Sequence, residues 1–218
     1  MTKRFSGLRL FIPLTLLLML VACSDPPPAY QSLGRDAVVL AFGDSVTHGT
    51  GAQAGEDFPT LLARDTGWQV VNAGIPGDTA EKARGRIGGL LQEHDPELVI
   101  VELGGNDFLR RQPATQVKEH LREIINAVRD YGALPVLVAV PEFSVISATV
   151  GSLSDSPIYE ELAAEESILL IDDVFSEVLS EERLRADRIH PNAQGYRQLA
   201  DGIAEALTEA GLKNQIAP

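Results

Sequence analysis

The sequence predicts an α/β fold built on a parallel β-sheet, and three observations support this prediction. Short apolar runs alternate about five times with segments of helical periodicity. The apolar runs are continuous, as is typical of strands buried on both faces of a sheet. Hydrophobic residues make up 44% of the 218-residue chain and charged residues 22%, which is a globular composition compatible with a single domain.

Each apolar run is bounded by Gly, Asp or Pro, and we predict a strand at each one. The predicted strands are 37–42, 69–72, 98–103, 135–140 and 168–171. Three helices are predicted from apolar residues that recur every three or four positions. Their apolar positions are Ala80, Ala83, Ile87, Leu90 and Leu91; Val117, Leu121, Ile124, Ile125 and Val128; and Tyr196, Leu199, Ile203 and Leu207. Asn192, after Pro191, is the expected N-cap of the last helix.

The N-terminal segment 1–22 has the pattern of a secretory signal peptide. Lys3, Arg4 and Arg9 precede an apolar run at 10–21 that is interrupted by Pro13 and Thr15. This run has about 12 residues, whereas a membrane-spanning helix needs about 20. We therefore expect the segment to be removed from the mature protein.

The signal segment ends in Leu-Val-Ala-Cys, which resembles the lipobox of bacterial lipoproteins. The resemblance implies cleavage before Cys23 and attachment of a lipid with palmitate-type acyl chains to its thiol. A plain signal peptide followed by a chance cysteine is the alternative. Cys23 is the one cysteine of the chain, so no disulfide can form within it. Ser24 after the cysteine resembles the outer-membrane pattern, which implies an anchor facing the periplasm.

The remaining chain divides into a tether, one domain and a tail. Residues 23–34 form a lipidated Pro-rich tether, 35–213 the catalytic domain and 214–218 the C-terminal tail. Segment 142–157, rich in Ser and Gly, is the longest part without a clear pattern and is a candidate wall or lid of a pocket. We expect a monomer.

The chain is strongly acidic, with 18 Lys and Arg against 31 Asp and Glu and a net charge of −13. Removal of the signal peptide takes away three basic residues and makes the mature chain more acidic still. Such a charge disfavours nucleic acid and anionic lipid surfaces as partners. A small neutral substrate suits the chain better than a polyanion.

Small or polar residues follow each predicted strand, and ligands of open α/β sheets bind at this edge. They lie in the segments "GDS" at 43–45, "NAG" at 72–74, "GGND" at 104–107, "PE" at 141–142 and "DRIHPN" at 187–192. We expect these segments to converge on one side of the sheet.

This edge contains every group that acyl transfer needs. Ser45, at a strand-to-helix turn, is the candidate nucleophile, with His190 as its base and Asp187 as the acid that orients the base. The backbone N–H groups of Ser45 and Gly74 and the side-chain amide of Asn106 are the expected donors of an oxyanion hole. His48 lies closer to Ser45 in sequence, but no nearby acid would orient it, so we expect it at the pocket rim.

These segments resemble the motif blocks of the SGNH hydrolases, also called GDSL-type esterases. The four blocks occur in family order over about residues 36–211, and "VELGGNDFLR" is similar to the bacterial thioesterase I and arylesterase branch. The resemblance implies a three-layer α/β/α sandwich with five parallel strands, flavodoxin-like, and the same roles for Ser45, Gly74, Asn106, Asp187 and His190. It implies hydrolysis of carboxylic esters, and possible substrates include thioesters and lysophospholipids.

Two departures qualify the resemblance. Pro76 stands where relatives often have serine, which leaves the substrate preference open. Thr47 replaces the second glycine of the G-x-S-x-G turn, which argues against the α/β-hydrolase fold.

Two other functions are weighed against ester hydrolysis. Asp44, Asp107, His48 and His190 are conceivable ligands of a metal-dependent phosphoesterase, but the bracketing D-x-H and G-H-x-H patterns are missing. A non-catalytic lipoprotein that binds acyl chains or glycans would be expected to have lost its nucleophile or base. We therefore predict a serine hydrolase that needs no cofactor and no metal.

Overall fold

The computed structural model describes residues 30–142 and 152–213. The predicted signal peptide, Cys23, most of the tether and the C-terminal tail lie outside these residues. The predicted loop 142–157 is described at its two ends only. Within the described residues, no helix combines the length and the apolar character that crossing a membrane requires.

The described residues form one parallel sheet of five strands, as the sequence predicts. The strands are β1 (Val38–Gly43), β2 (Gln69–Gly74), β3 (Leu98–Glu102), β4 (Leu134–Val138) and β5 (Leu169–Ile171). Their spatial order is β2-β1-β3-β4-β5. The register aligns Gly43 at the end of β1 with Gly74 on one side and Glu102 on the other.

The central strands are buried on both faces, but β2 is not. Every residue of β3 is buried, and so are the last five residues of β1. No residue of β2, a strand at the sheet edge, is buried, and in β5, at the opposite edge, only Ile171 is. The expectation of two-faced burial for all five strands is therefore wrong at the edges, because a continuous apolar run does not distinguish an edge strand from a central one.

Nine helices and one 3₁₀ turn lie between the strands or after the last of them within residues 30–142 and 152–213. The helices are α1 (Ser45–His48), α2 (Phe58–Thr66), α3 (Ala80–Ala83), α4 (Ile87–His94), α5 (Gly105–Leu109), α6 (Ala114–Tyr131), α7 (Ile158–Glu166), α8 (Val174–Ser180) and α9 (Ala193–Glu209). The 3₁₀ turn is Glu182–Leu184.

Two of the predicted helices are confirmed and the third is divided. Helix α6 buries all five of its predicted apolar residues, and α9 begins after Asn192, whose side chain accepts hydrogen bonds from the N–H groups of Gln194 and Gly195. The pattern that starts at Ala80 is broken by a turn around Gly85 into α3 and α4. Helices α2 and α7 were not among the predicted patterns.

The helices pack in two groups, which gives the sandwich its outer layers. Helices α2 and α8 contact α9, whereas α3, α4 and α7 contact α6. Because crossovers between parallel strands are right-handed as a rule, this strand order assigns the first group to one face of the sheet and the second to the other. Strands β2 and β3 lie on opposite sides of β1, so the crevice at the carboxyl ends of β1 and β3 is the topological switch point where ligands bind in such sheets.

Candidate active site

The turn between β1 and α1 presents Ser45 at this switch point. Asp44 is the N-cap of α1, and its Oδ1 accepts a hydrogen bond of 3.0 Å from the Val46 N–H. A Cβ added at Gly43 would lie 2.0 Å from Thr47 Oγ1 and 2.5 Å from the Glu102 carbonyl oxygen. The turn therefore requires glycine at position 43, because the backbone there lies against β3 and against the helix that follows.

Ser45, His190 and Asp187 form a continuous hydrogen-bonded chain. His190 Nε2 lies 2.9 Å from Ser45 Oγ, although the two residues are 145 positions apart in sequence. His190 Nδ1 lies 2.8 Å from Asp187 Oδ2. An Nδ1–H that donates to this carboxylate leaves Nε2 as an acceptor for the Ser45 hydroxyl. The structure thus brings together the three residues that the sequence assigned to a nucleophile, a base and an orienting acid.

Asp187 is held as a carboxylate by the loop that carries it. Its Oδ1 accepts hydrogen bonds from the backbone N–H groups of Ile189 and His190, at 2.8 and 2.9 Å. Partial burial raises the pKa of Asp187, but the hydrogen bonds from the His190 ring and from these two N–H groups outweigh it and hold the pKa below its usual value. The negative charge that orients His190 is therefore present at neutral pH.

The His190 loop is fixed by contacts with the 3₁₀ turn region and with the segment after α1. The Asn192 side chain donates to the carbonyl oxygens of Arg183 and Arg185, at 2.8 and 3.2 Å. Gly51 has a φ of +101°, and a Cβ there would lie 2.5 Å from the Pro191 carbonyl oxygen. The loop carrying the base is thus packed directly against the segment that follows the nucleophile.

Asn106 faces the same crevice from the start of α5. Its Nδ2 donates to Asp44 Oδ2 at 2.9 Å. A side-chain amide has two N–H bonds, so one remains to bind a developing oxyanion. The loop before α5 is held by Tyr159, whose hydroxyl donates to the Leu103 carbonyl oxygen at 2.7 Å.

Asp44 links the nucleophile turn to Asn106 through a buried carboxyl group. Burial raises the pKa of Asp44 to about 6, and the hydrogen bonds from Val46 and Asn106 limit that rise. Both donors are fixed N–H groups, which favours the ionised form of Asp44 at neutral pH. These contacts give Asp44 a structural role, because it connects the turn that carries Ser45 with the Asn106 side chain.

Gly74 has a packing contact that the sequence did not reveal. A Cβ there would lie 2.2 Å from the His48 backbone nitrogen, so glycine is required where β2 ends against α1. The Gly74 N–H, which the sequence predicts as an oxyanion donor, instead donates a hydrogen bond of 3.0 Å to Asn72 Oδ1.

Gly77 offers an unengaged backbone N–H in the same segment. It has a φ of +78°, in the turn after β2 that the Asp78 N–H closes by donating to the Ile75 carbonyl oxygen. Among the described residues, the Gly77 N–H has no hydrogen-bond acceptor. Arg110 Nη2, at the end of α5, donates to the Gly77 carbonyl oxygen at 3.0 Å and holds this turn beside the Asn106 helix.

A shallow, open depression lies beside Ser45 and His190. Its polar side chains are Asp44, Ser45, Glu102, Asn106 and His190, and its apolar ones are Val46, Leu109, Val140, Phe175 and Ile189. Leu109 at its rim and Ile75 in the turn after β2 are each 47% exposed. The pocket can therefore place an apolar group next to the nucleophile.

The other predicted polar residues do not converge on a metal site. His48 is exposed at the end of α1 and does not line the pocket that the described residues form. Asp107 is buried, and its Oδ2 accepts a hydrogen bond of 3.0 Å from the Ala80 N–H at the start of α3. Within residues 30–142 and 152–213, no three His, Cys, Asp or Glu side chains are grouped as metal ligands.

Two residues that support the site were missed by sequence reasoning. The Arg86 guanidinium donates to the carbonyl oxygens of Gly43 and Ala73, both at 2.9 Å, and to Asp78 Oδ2 at 2.8 Å. It thereby ties together the ends of β1 and β2. Tyr159 supports the Asn106 loop from α7. Because the partners of both residues are mostly backbone carbonyl groups, no side-chain motif in the sequence could have indicated them.

Comparison with known proteins agrees with this geometry. The model of the GDSL-like lipase/acylhydrolase family matches residues 41–198, which include all four motif blocks. The chain belongs to this family. Among curated relatives of this GDSL protein, thioesterase 1/protease 1/lysophospholipase L1 of Escherichia coli K12 is 36% identical over 177 residues, covering 78% of this chain and 82% of the relative. An arylesterase of Vibrio mimicus is 29% identical over 182 residues, covering 78% and 88%.

Solved structures of similar proteins share the fold. The crystal structure of TesA superposes with a TM-score of 0.69 at 28% identity and covers 79% of the GDSL protein and 99% of its own chain. The SGNH-hydrolase family esterase AlinE4 gives a TM-score of 0.61 at 28% identity, covering 82% and 98%. The predicted α/β sandwich is confirmed, and neither of the two alternative functions gains support.

Proposed function

We propose that this GDSL protein hydrolyses carboxylic esters through an acyl-enzyme formed on Ser45. The observation that carries the proposal is the hydrogen-bonded chain from Ser45 through His190 to Asp187, with the Asn106 amide in the same pocket. An aligned hydroxyl, base and orienting acid beside a polar donor is the arrangement that acyl transfer needs. The relatives named as thioesterase and arylesterase support the same reaction class.

The reaction proceeds in two steps around one proton relay. His190 Nε2 takes the Ser45 proton as Oγ attacks the acyl carbon, and then gives that proton to the leaving alcohol. Water, activated by the same nitrogen, releases the acid and restores Ser45. The Asp187 carboxylate stabilises the imidazolium formed in each step.

We assign the oxyanion to the Ser45 N–H, the Asn106 Nδ2 and the Gly77 N–H. Gly77 takes the place expected for Gly74, since the Gly74 N–H is engaged by Asn72 whereas that of Gly77 has no acceptor among the described residues. A structure of the protein with a phosphonate on Ser45 tests this, because the phosphonyl oxygen marks the oxyanion position. An oxygen bound by the Gly74 N–H would return the role to Gly74.

Replacing Asn106 with alanine is expected to lower kcat for p-nitrophenyl acetate by about 10²- to 10³-fold, the usual effect of removing one oxyanion donor. The change also removes the hydrogen bond that Asn106 donates to the Asp44 carboxylate. The Tm of the variant should therefore be measured together with kcat, to separate a loss of stability from a loss of catalysis. Gln112→Ala, at an exposed position just beyond α5, is the matched control and should retain wild-type kcat. A fully active Asn106→Ala enzyme would remove Asn106 from the mechanism.

The apolar pocket wall supports an acyl group as the part of the substrate next to Ser45. We propose simple esters as the main substrates, with acyl thioesters and lysophospholipids as further ones. The decisive comparison is kcat/KM for p-nitrophenyl esters of increasing chain length, an acyl-CoA and a lysophosphatidylcholine. Activity on none of these, with a folded protein, would refute the substrate class.

We further propose that the mature protein is a monomer anchored by a lipid on Cys23 to the outer membrane, facing the periplasm. The lipobox-like sequence before Cys23 and the Pro-rich tether after it support the anchor. Mass spectrometry of the N-terminal peptide, with Cys23→Ser as control, tests it. An unmodified cysteine in the membrane-extracted protein would exclude the lipoprotein assignment.

A further inference from the structure

Glu102 is a buried carboxyl group directly behind the nucleophile turn, and the reaction described above gives it no role. It is the last residue of β3, only 1% exposed, and it lines the catalytic pocket together with Asp44. The register of the sheet places it beside Gly43, two residues before Ser45. Its state therefore affects both the shape and the charge of the site.

The contacts of Glu102 suit an uncharged group. Its Oε2 accepts a hydrogen bond of 2.8 Å from Thr47 Oγ1, whereas its Oε1 has no hydrogen-bond partner among the described residues. Within that same part of the chain, no Lys or Arg forms an ion pair with it. Burying an ionised carboxylate without a cation and with an unpaired oxygen is costly, whereas burying the protonated acid costs much less.

The charged group nearest to Glu102, Asp44, also favours the uncharged form. Asp44 faces Glu102 from the nucleophile turn, Tyr159 from α7 and Tyr196 from α9, and His190 lines the same pocket. Arg86 reaches the adjacent Gly43 carbonyl oxygen, but its remaining bonds go to Ala73 and Asp78. Burial, followed by the negative charge of Asp44, raises the pKa of Glu102 well above its usual value.

The two carboxyl groups thus differ in which form, ionised or protonated, their surroundings favour. Asp44 has two fixed N–H donors, from Val46 and Asn106, and is suited to carry the negative charge. Glu102 accepts from the Thr47 hydroxyl, and the backbone N–H groups of Thr47 and Asp44 also favour its ionised form, but burial and the charge of Asp44 outweigh these contacts. Attack on an ester moves negative charge onto the oxyanion, and a second carboxylate in this pocket of low dielectric would oppose that charge.

We propose that Glu102 is a positioning residue that works as a neutral carboxylic acid, holding the Ser45 turn through Thr47 while adding no negative charge behind the oxyanion site. The effect of a neutral Glu102 on catalysis rests on the proposed ester hydrolysis. The protonation state of Glu102 does not, so the proposed function and the proposed protonation state can be refuted separately.

Glu102→Gln, a neutral near-isostere, tests the proposal. Its kcat at neutral pH should fall by no more than about fivefold, the factor that one neutral hydrogen bond represents. In the wild type, the unfolded chain releases the Glu102 proton above about pH 4.5 while the folded chain keeps it, so stability is lost as pH rises from that value to the raised pKa. Relative to wild type, the variant should therefore gain in Tm between about pH 4 and pH 8, because it lacks this loss.

Infrared spectroscopy gives an independent measurement. The C=O stretch of a protonated carboxyl group should be present in the wild type at neutral pH and missing from Glu102→Gln. Glu97→Gln, at the exposed position just before the same strand, is the matched control and should change neither the spectrum nor the pH dependence of Tm.

Two results would overturn the proposal. One is a spectrum in which Glu102→Gln removes no protonated-carboxyl band. The other is a variant whose Tm relative to wild type falls as pH rises, which would mean that the folded protein benefits from an ionised Glu102. If Glu102→Gln does not fold, the wild-type band measured between about pH 4 and pH 9 decides, since a group ionised at neutral pH loses its band near the ordinary value for Glu. An enzyme without esterase activity would refute the proposed function but leave these measurements valid.

Discussion

Ser45→Ala is expected to lower kcat for p-nitrophenyl acetate by about 10⁶-fold, the scale of effect seen when a serine hydrolase loses its nucleophile. Among the described residues, the Ser45 hydroxyl is the hydrogen-bond partner of His190 Nε2, at 2.9 Å. Without it, no acyl-enzyme can form, and only stabilisation by the oxyanion donors remains. The rate is measured with saturating ester, alongside circular dichroism to show that the variant is folded.

A phosphonate that reacts with activated serines provides the second measurement. Intact-protein mass spectrometry should find one adduct on the wild type and none on Ser45→Ala. Ser32→Ala, which changes an exposed serine close to the end of the predicted tether, is the control and should behave as wild type. Hydrolysis that persists in Ser45→Ala but stops with a chelator would instead favour the metal-dependent phosphoesterase.

The parts of the site that could be predicted from sequence share one physical property. Ser45 and Asn106 each follow a strand that is wholly or almost wholly buried, and such strands are recognisable as continuous apolar runs. Parallel strands end at the same edge, so locating the strands also locates the residues that follow them. Asp187 and His190 are separated by three positions in one loop, and their hydrogen bond depends on local geometry alone.

The parts that could not be predicted depend on contacts between distant segments. Arg86 acts through backbone carbonyl groups of β1 and β2, and Tyr159 through that of Leu103. Every residue has a backbone carbonyl, so these pairs leave no pattern of residue types. Likewise, the glycine at position 74 was evident from sequence, but the hydrogen bond from its N–H to the Asn72 side chain was not.

The protonation state of Glu102 likewise could not be predicted from the sequence. In the sequence it is one acidic residue at the end of an apolar run, and solvent exposure would be its default. Only the sheet order, which places β3 between β1 and β4, shows that it is enclosed beside Asp44. The protonation state of a site therefore follows from topology even where its residues can be read from motifs.

His190→Ala should lower kcat by about 10⁴- to 10⁶-fold, because the residues of a catalytic triad act as a unit. His48→Ala is the matched comparison, since it removes an imidazole three positions from Ser45 and on the same short helix. His48 is exposed and does not line the pocket of the described structure, so its loss should leave most of the wild-type kcat. Both variants are assayed with the same ester across a range of pH.

The two variants together show whether the base is the histidine close to Ser45 in sequence, His48, or the one that contacts Ser45 in the structure, His190. His190 reaches Ser45 because the 3₁₀ turn and the segment after α1 hold its loop in place, and Asp187 turns its Nε2 toward the hydroxyl. His48 has no carboxylate partner among the described residues, and so nothing fixes its ring orientation. Loss of activity in His48→Ala with an active His190→Ala would reverse the assignment, and loss in both would mean that the exposed imidazole takes part in the proton relay.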